Sequence, residues 1–523
     1  MAPYWVKKRL EEDCAGPAPT DPLLLLSATK IIQKLKNREI TSSQLIESYI
    51  QRIEQVNPII NAVVVKVFDD ARKQAKEVDE FIAESSDEQI AQKFEAQPLY
   101  GVPFTIKDSM EVTGHVVTSG SFCRKDVKCD RTAEAVQRVQ NAGGILLAIT
   151  NVPELCMWYE SNNTVYGRSK NPYDTRRMTG GSSGGEGALI GAAGSVVGIG
   201  SDIGGSIRIP SLMNGIFGLK PTPGIVPLEG HIPYVTRYKS EMGRIGPMCR
   251  YAEDLELMMK VLAAESAEKL NFKEPVIRNQ IRIYYMEEIQ NVHLMQSVSY
   301  EMRHAIKKSV AALERKYDVI ATKIDLPLTR HIMDFLAVSM HQDSTDPPLT
   351  KMMLCVNGTK GHVNCYTELI KEEAIRKRDR LVRQVRELLG DNGVLVCPAW
   401  PSTAMFHNEP ILTMFNLCYS ALWNCVAVPV IQCPTGFDSN GLPIGVQVVG
   451  NRYSERNLIA IAEDLEEEFK GWTPPNPLRH RRQLIYRNIV QNPILGGPSI
   501  LGWGQIPHVL SPMAMPSFAL LGK

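Results

Sequence analysis

The sequence lacks a long apolar run, a CxxC pair and a strong net charge. Its 523 residues include 58 Lys+Arg and 57 Asp+Glu, which gives a formal net charge of +1. A nucleic-acid-binding protein needs a basic face, so this balance argues against a nucleic-acid partner. The 11 cysteines are odd in number and are scattered from Cys14 to Cys433. This usage is typical of reduced thiols in an intracellular protein and argues against a disulfide framework.

No segment has the composition of a signal peptide or a membrane-spanning helix. A spanning helix needs ~20 mostly apolar residues, whereas the apolar run near the N-terminus is confined to Leu23–Leu26. The longest uncharged stretch, residues 488–522, contains five prolines, which would interrupt a helix repeatedly. We therefore expect an intracellular protein that is cytoplasmic or membrane-associated. The sequence leaves peripheral membrane contact and a homodimer open.

Apolar runs and helical patterns alternate along most of the chain. Residues 22–80 have a helical pattern, with a capping box at Thr41 and Gln44. Strands are predicted at residues 101–106, 145–150, 196–199, 281–285, 394–397, 426–432 and 444–449, and further helices at 132–141, 187–193, 252–263, 368–389 and 455–469. This alternation predicts an α/β protein with a large mixed, twisted β-sheet covered by helices on both faces. We expect one domain over 22–472, an N-terminal tail (1–21) and a disordered C-terminal tail (473–523).

One stretch has far more glycine than the rest of the chain. Residues 180–205 hold 11 glycines in 26 residues, against 38 in the whole sequence. Dense glycine allows close backbone approach and lets several amide N–H groups point at one place. A flexible linker is a poor interpretation, because apolar residues that can be buried, such as Leu189, Ile190 and Val197, interrupt the glycines. The stretch is therefore a candidate catalytic or binding loop.

Three known glycine-loop chemistries can be tested on these residues, and two of them fail. A dinucleotide fingerprint needs GxGxxG, but isoleucine replaces the last glycine after both Gly185 and Gly198. A phosphate-binding P-loop needs Gly-Lys-Ser/Thr, and no lysine occurs between residues 170 and 220. The third chemistry is that of a serine nucleophile. The segment Gly181–Gly185 matches the GxSxG elbow of α/β-hydrolases, which makes Ser183 one candidate nucleophile.

A more extensive match accounts for the whole stretch. Residues 180–211 resemble the amidase signature, the serine- and glycine-rich core of the amidase signature enzymes. Val102–Asp108 is similar to the lysine-bearing strand that accompanies this core in the family. The likeness continues through Asn151–Leu155, Gly218–Thr222, Gly246–Met248 and Gly441–Gln447, and covers residues 22–472. Within the family, the fatty-acid amide hydrolase subgroup is most similar in Cys156–Ser161, Tyr166–Ser169, Asn171–Asp174 and Gly246–Leu255.

The resemblance implies the amidase signature fold and a serine hydrolase that cleaves carboxylic amides through an acyl-enzyme. Ser206 is then the nucleophile, Lys107 the base, and Ser182, in the family's cis conformation, the bridge between them. Lysine acts as a base near neutral pH only where burial lowers its pKa. The oxyanion hole implied by the family consists of the backbone N–H groups of Ile203, Gly204, Gly205 and Ser206.

The resemblance also suggests what surrounds this triad. Cys156 and Ser182 are expected to line the substrate site, although a buried core thiol is an equally good interpretation of Cys156. Asp202 and Arg208 are predicted to form a structural ion pair that holds the loop. No cofactor or metal ion is expected. The partner is a small-molecule or lipid amide, and fatty-acid amides are favoured.

Two other functions stay open on the sequence alone. The first is an amidotransferase-type glutamine amidase, which would release ammonia from glutamine and would need a partner chain. The second is a catalytically silent scaffold, although such a protein has no physical reason to keep all three triad residues. Two departures from the subgroup bear on the choice. Met1–Pro22 contains no spanning segment, and residues 330–371 form a shorter region than expected, which would alter the acyl channel.

Overall fold

The computed structural model describes residues 15–235, 239–292, 294–340 and 368–475. The described chain contains 13 strands. They are β1 (Val63–Lys66), β2 (Pro103–Lys107), β3 (Ile145–Thr150), β4 (Asn162–Asn163), β5 (Gly167–Arg168), β6 (Val197–Asp202), β7 (Phe217–Lys220), β8 (Arg244–Cys249), β9 (Arg282–Tyr285), β10 (Thr322–Lys323), β11 (Gly393–Cys397), β12 (Val430–Phe437) and β13 (Pro443–Gly450).

Fourteen α-helices lie within the same ranges. They are α1 (Ala28–Lys36), α2 (Ser42–Ile60), α3 (Phe68–Glu84), α4 (Asp87–Ala96), α5 (Glu134–Asn141), α6 (Gly184–Gly191), α7 (Arg208–Met213), α8 (Lys239–Met242), α9 (Glu253–Ala263), α10 (Tyr300–Tyr317), α11 (Ile332–Met340), α12 (Glu368–Leu389), α13 (Cys418–Cys425) and α14 (Glu455–Phe469). None of the described helices is both long enough and apolar enough to cross a membrane.

Eleven of the strands form one mixed sheet, as the sequence predicts. Their order is β1-β3-β2-β6-β8-β7-β12-β13-β11-β9-β10, and β4 and β5 form a separate small hairpin. Strand β2 runs parallel to both of its neighbours, β3 and β6. The pairs β6–β8, β7–β12 and β12–β13 are antiparallel. The carboxyl ends of β2 and β6 therefore meet at the same edge of the sheet.

Apolar side chains are buried on both faces of this sheet. Successive residues of a strand point to opposite faces. In β11, Val394 and Val396 belong to one buried apolar cluster, whereas Leu395 and Cys397 belong to a second. The first cluster includes residues of α1–α5, α9 and α10, and the second includes residues of α11–α13. Helices thus cover the sheet on both faces, which confirms the predicted fold class.

The predicted element boundaries agree well with the structure where the pattern is strong. The strand at Ile145–Thr150 and the helix at Glu455–Phe469 have the predicted bounds. The capping box of α2 is present, with Thr41 and Gln44 exchanging hydrogen bonds. The helical pattern over 22–80 is interrupted by β1 at Val63–Lys66, which the sequence analysis missed.

The C-terminal limit of the predicted domain coincides with a buried tryptophan. Trp472 follows α14 and has only 6% of its surface exposed. Its Nε1–H donates to the Gly191 carbonyl at the end of α6, at 3.0 Å, and the Arg250 guanidinium lies 5.1 Å from its ring centre. Trp472 therefore attaches the end of the domain to α6, a helix within the glycine-rich stretch. Of the predicted C-terminal tail, residues 476–523 lie outside the described residues, as does most of the region 330–371.

Candidate active site

The predicted lysine and serines converge at the edge of the sheet where β2 and β6 end. Lys107 is the last residue of β2. The register pairs Thr105 with Gly198 and Ile106 with Ile199, so the lysine lies beside the end of β6. Ser182 stands two residues before the start of α6, and the Gly181–Ser182 peptide is cis, in agreement with the implied conformation. A lysine 75 residues away in sequence thus reaches Ser182.

Lys107 is fully buried and is held by two serines. Its Nζ lies 2.6 Å from Ser182 Oγ and 2.9 Å from Ser201 Oγ. Burial lowers the pKa of Lys107 from its ordinary value, because desolvation disfavours the charged ammonium. Cys156, Asp202 and Glu186 oppose that shift. The direction agrees with the expectation that burial prepares this lysine to act as a base.

A cavity of about 190 Å³ opens beside the lysine. Ser182 and Ser206 both line it, together with Ile203 and Cys156. The Lys107 side chain lies behind Ser182, fully buried from solvent. Of the two interpretations of Cys156, the structure supports a residue that lines the cavity, since its side chain is half-buried there. Six of the other lining residues are apolar or aromatic (Leu155, Met157, Leu228, Pro233, Tyr234 and Val235), and the rest are Ser201, Asp202, His231, Gly243 and Arg244.

The loop that carries Ser206 is held by the carboxylate of Asp202. The Gly205 and Ile207 N–H groups donate to this carboxylate at 2.8 and 3.1 Å. The Arg208 guanidinium donates to both carboxylate oxygens at 3.0 Å, and Asn424 Nδ2 donates to Oδ1 at 2.9 Å. Arg208 holds the pKa of Asp202 well below its ordinary value, although burial acts to raise it. The ion pair is fully buried, and its carboxylate fixes two amides of the loop.

This arrangement separates the four candidate oxyanion-hole amides into two groups. The Gly205 N–H already donates to Asp202. The N–H groups of Ile203, Gly204 and Ser206 have no acceptor among the residues that the structure describes. Gly205 has φ +123°, and a Cβ there would lie 2.5 Å from Ser420 Cβ. Glycine is thus required at Gly205 for the loop to approach α13, whereas a Cβ at Gly204 would meet only ordinary contacts at 3.6 Å or more.

Ser183, the alternative nucleophile, does not face the cavity. Its Oγ donates to the Ser201 carbonyl and accepts from the Ser201 N–H, both at 3.3 Å. The residue is fully buried and is absent from the cavity lining. This hydroxyl therefore has a structural role in joining α6 to β6, and the geometry does not support an α/β-hydrolase elbow.

Three residues near the lysine were not singled out by the sequence analysis. Ser201 contacts Lys107 directly, and His231 lies 2.8 Å from Ser201 Oγ through its Nε2. Glu186, on α6, accepts hydrogen bonds from Thr105 and, at 2.6 Å, from Thr150 Oγ1. Ser201 stands directly before Asp202 in the glycine-rich stretch, which is a usable signal. No pattern in the sequence marks His231 or Glu186.

Burial shifts the pKa values of His231 and Glu186 toward the neutral form, as it does that of Lys107. Burial, followed by the proximity of Lys107, lowers the pKa of His231 to about 4. Burial raises the pKa of Glu186 to about 7, against the hydrogen bonds from Thr105 and Thr150. Each of these shifts favours the neutral form, because a charge away from water is costly.

Known proteins share both the sequence and the fold. Fatty-acid amide hydrolase 2-A of Danio rerio is 38% identical over 88% of this chain and 91% of its own length. Fatty-acid amide hydrolase 2 of Homo sapiens is 36% identical over 87% and 91%. A glutamyl-tRNA(Gln) amidotransferase subunit of Treponema denticola is more distant, at 26% identity over 85% and 99%.

A solved structure and two family models complete the comparison. A fatty acid amide hydrolase structure superposes with a TM-score of 0.73 at 23% identity, covering 86% of each chain, which supports the fold. Residues 473–523 match a model described as a protein of unknown function (DUF1412). The Amidase model matches residues 44–459, a span that begins in α2, ends in α14 and includes the lysine, the serines and the Asp202 loop. The chain therefore belongs to the amidase signature family and is an amidase.

Proposed function

We propose that this amidase hydrolyses fatty-acid amides, with Ser206 as nucleophile, Ser182 as bridge and Lys107 as base. The observation that carries the proposal is the 2.6 Å contact between Lys107 Nζ and Ser182 Oγ, beside a cavity that Ser182 and Ser206 share. Amide hydrolysis needs an activated nucleophile, a proton for the leaving amine and stabilisation of a tetrahedral oxyanion. The residues around this cavity can supply all three.

The first half of the reaction moves one proton from Ser206 to Lys107. Ser206 Oγ attacks the carbonyl carbon while its proton passes to Ser182 Oγ and the Ser182 proton passes to Lys107 Nζ. The carbonyl oxygen takes up the negative charge and accepts from the N–H groups of Ile203, Gly204 and Ser206. Since Asp202 already uses the Gly205 N–H, the proposed oxyanion hole relies on the other three amides.

The second half returns that proton to the leaving nitrogen. Lys107 gives a proton back to Ser182, and Ser182 gives its own to the amide nitrogen as the C–N bond breaks. The amine or ammonia leaves and an ester on Ser206 remains. A water molecule then attacks that ester, with its proton following the same route. The fatty acid is released and the Ser206 hydroxyl is restored.

The relay requires Lys107 to be neutral before the attack. A charged ammonium has no lone pair and cannot accept the Ser182 proton. Full burial favours the neutral amine, and no carboxylate lies within salt-bridge distance of Lys107 among the described residues. We therefore expect activity to rise with pH as Lys107 loses its proton.

The substrate class rests on the cavity walls and the relatives. Much of the cavity wall is apolar, formed by residues such as Leu155, Met157 and Leu228, which suits an alkyl chain better than the polar side chain of glutamine. The relatives at 36–38% identity are named for fatty-acid amides, and those named for the amidotransferase are at 25–28%. A glutamine amidase is the alternative outcome.

A substrate panel combined with four alanine variants tests the proposal. Oleamide, glutamine and a short aryl amide are assayed with the wild type, and a lipid-like fluorophosphonate adduct is mapped by peptide mass spectrometry. We expect oleamide turnover and an adduct on Ser206. Ser206→Ala should abolish both, and Ser182→Ala and Lys107→Ala should each reduce kcat by roughly 10³-fold or more.

Ser183→Ala is the matched control for these variants. It removes a neighbouring hydroxyl that is buried away from the cavity, so it should keep the adduct on Ser206. Rates like those of the wild type in the Lys107 or Ser182 variant would refute the relay. An adduct on Ser183 would instead identify an α/β-hydrolase-type nucleophile, and preferential turnover of glutamine would replace the proposed substrate.

A further inference from the structure

His231 reaches the lysine site from a distant part of the chain. It stands in the segment between β7 and β8, and an antiparallel bridge joins it to Met110, just after β2. The Ile232 N–H donates to the Ser109 carbonyl at 2.7 Å and holds the segment in place. The imidazole is 6% exposed and lines the same cavity as Ser182 and Ser206.

The contacts of the ring determine which nitrogen carries the proton. His231 Nδ1 lies 2.9 Å from the Pro233 carbonyl oxygen, and a carbonyl can only accept. Nδ1 therefore carries the hydrogen. In the neutral ring, Nε2 then has a lone pair and no hydrogen. Since burial lowers the pKa of His231 to about 4, the ring is neutral near pH 7 and Nε2 is an acceptor.

Because His231 Nε2 is an acceptor, it fixes the direction of the hydrogen bond with Ser201. Ser201 Oγ lies 2.8 Å from Nε2, closer than Ser109 Oγ at 3.3 Å. A serine hydroxyl has one proton, so Ser201 donates it to His231. Ser201 Oγ can then only accept from Lys107, whose Nζ lies 2.9 Å away.

We propose that His231 is a positioning residue for the amidase reaction, which acts through Ser201 to keep the lone pair of Lys107 directed at Ser182. A neutral amine has two N–H groups and one lone pair. With Ser201 restricted to accepting, one N–H points at Ser201 and the lone pair stays available to the Ser182 hydroxyl. Without the imidazole, Ser201 could rotate, donate to Nζ and occupy the lone pair that the relay needs. This inference rests on the proposed function.

Other titratable groups also face the lysine, and they set its ionisation separately. They are Asp202 at the end of β6, Glu186 on α6 and Cys156 in the turn after β3, all of which oppose the effect of burial. The titratable group that faces His231 is Lys107 itself. A neutral His231 adds no charge to this set, so replacing it tests hydrogen-bond direction and not a change of local charge.

Two substitutions of His231 separate positioning from packing. His231→Gln retains an oxygen that can accept from Ser201, whereas His231→Leu has a similar size and no acceptor. We expect the Leu variant to lose roughly 10- to 100-fold in kcat on oleamide with little change in KM. The Gln variant should remain within about threefold of the wild type, since it keeps the acceptor. Thermal melting verifies that both variants are folded.

A double-mutant cycle tests the proposed mechanism of the loss. If a misdirected Ser201 hydroxyl causes the defect, removing that hydroxyl should relieve it. His231→Leu combined with Ser201→Ala should then be no slower than Ser201→Ala alone, which is strong non-additivity. Independent losses that multiply would overturn the inference, because they would indicate only disturbed packing. Equal losses in the Gln and Leu variants would overturn it as well.

The pH profile and the labelling site distinguish the remaining outcomes. The acid limb of the pH profile of kcat should persist in His231→Leu and move to lower pH, because the freed Ser201 hydroxyl stabilises the neutral amine of Lys107. Disappearance of that limb would make His231 the general base. A fluorophosphonate adduct on Ser201 would make Ser201 and His231 a nucleophile–base pair.

Lys107→Ala at the wild-type rate would refute the proposed function and this inference together. If Lys107→Ala is inactive while His231→Leu is fully active, only the positioning role of His231 is refuted.

Discussion

Replacing Glu186 by glutamine should change how the stability of the protein depends on pH. The Glu186 side chain is fully buried on α6 and accepts hydrogen bonds from Thr105 and Thr150. No basic side chain lies within salt-bridge distance of it among the described residues. Burial raises the pKa of Glu186 from 4.5 to about 7, so the folded protein holds this proton to a higher pH than the unfolded chain does.

The sign and size of the effect follow from these two pKa values. Below pH 4.5 the carboxyl is protonated in both states and the difference contributes nothing. As the pH rises from 4.5 to about 7, the unfolded state has lost its proton while the folded state keeps it. The free energy of unfolding therefore decreases by ~1.4 kcal/mol per pH unit over this interval, or about 3 kcal/mol in all. Glutamine does not titrate and should not show this loss.

Chemical denaturation of the wild type and Glu186→Gln from about pH 4 to about pH 8 measures the difference. At the acid end the variant should be less stable by about 1 kcal/mol, because its NH₂ group replaces one acceptor. Above pH 7 it should be more stable than the wild type. Glu77→Gln, at an exposed position of α3, is the control and should follow the wild type throughout. A variant that loses stability relative to the wild type as the pH rises would mean that Glu186 is ionised in the fold, and would refute this reasoning.

Three further predictions concern the loop and the end of the domain. Asp202→Asn removes the charge that balances a buried arginine, and should cost roughly 3–5 kcal/mol of stability in denaturation experiments and reduce fluorophosphonate labelling. Gly205→Ala should fail to give folded protein because its Cβ would meet Ser420 at 2.5 Å, whereas Gly204→Ala should fold with a thermal midpoint close to that of the wild type. Trp472→Ala should lower the stability by about 3–5 kcal/mol, and equal melting of variant and wild type would show that the domain ends before this residue.

The sequence predicted strands whose pattern is unambiguous. It missed β1, which lies inside a longer helical pattern, and strands whose composition is unusual. Ile145–Thr150 is a run of apolar and β-branched residues with every position buried, which is the pattern of a strand covered on both faces. β7 and β8 were not predicted. They contain Gly218, Lys220, Arg244 and Pro247, residues that are uncommon in strands. Their burial is explained by neighbouring strands on both sides, which no local pattern reveals.

The residues of the proposed triad and the residues that surround them differ in the same way. Lys107, Ser182 and Ser206 stand in motifs with a recognisable order, so the resemblance could name them before any coordinates. His231 contacts Ser201 across 30 residues and Ser109 across 122. Its role depends on how the segment between β7 and β8 returns to the end of β2. A histidine in a loop has no sequence feature that distinguishes such a contact from an ordinary surface position.

The distribution of charge around the cavity is consistent with the proposed mechanism. Burial favours the neutral forms of Lys107, His231 and Glu186, whereas Asp202 and Arg208 form a charged pair with complete hydrogen bonding. The charged pair holds the loop, and its Asp202 carboxylate opposes the effect of burial on the pKa of Lys107. A neutral histidine adds no charge beside the buried amine, and burial is the largest influence on the pKa of Lys107. In the proposed mechanism, burial favours the unprotonated form of Lys107, and hydrogen-bond direction, set by His231 and Ser201, decides where its lone pair points.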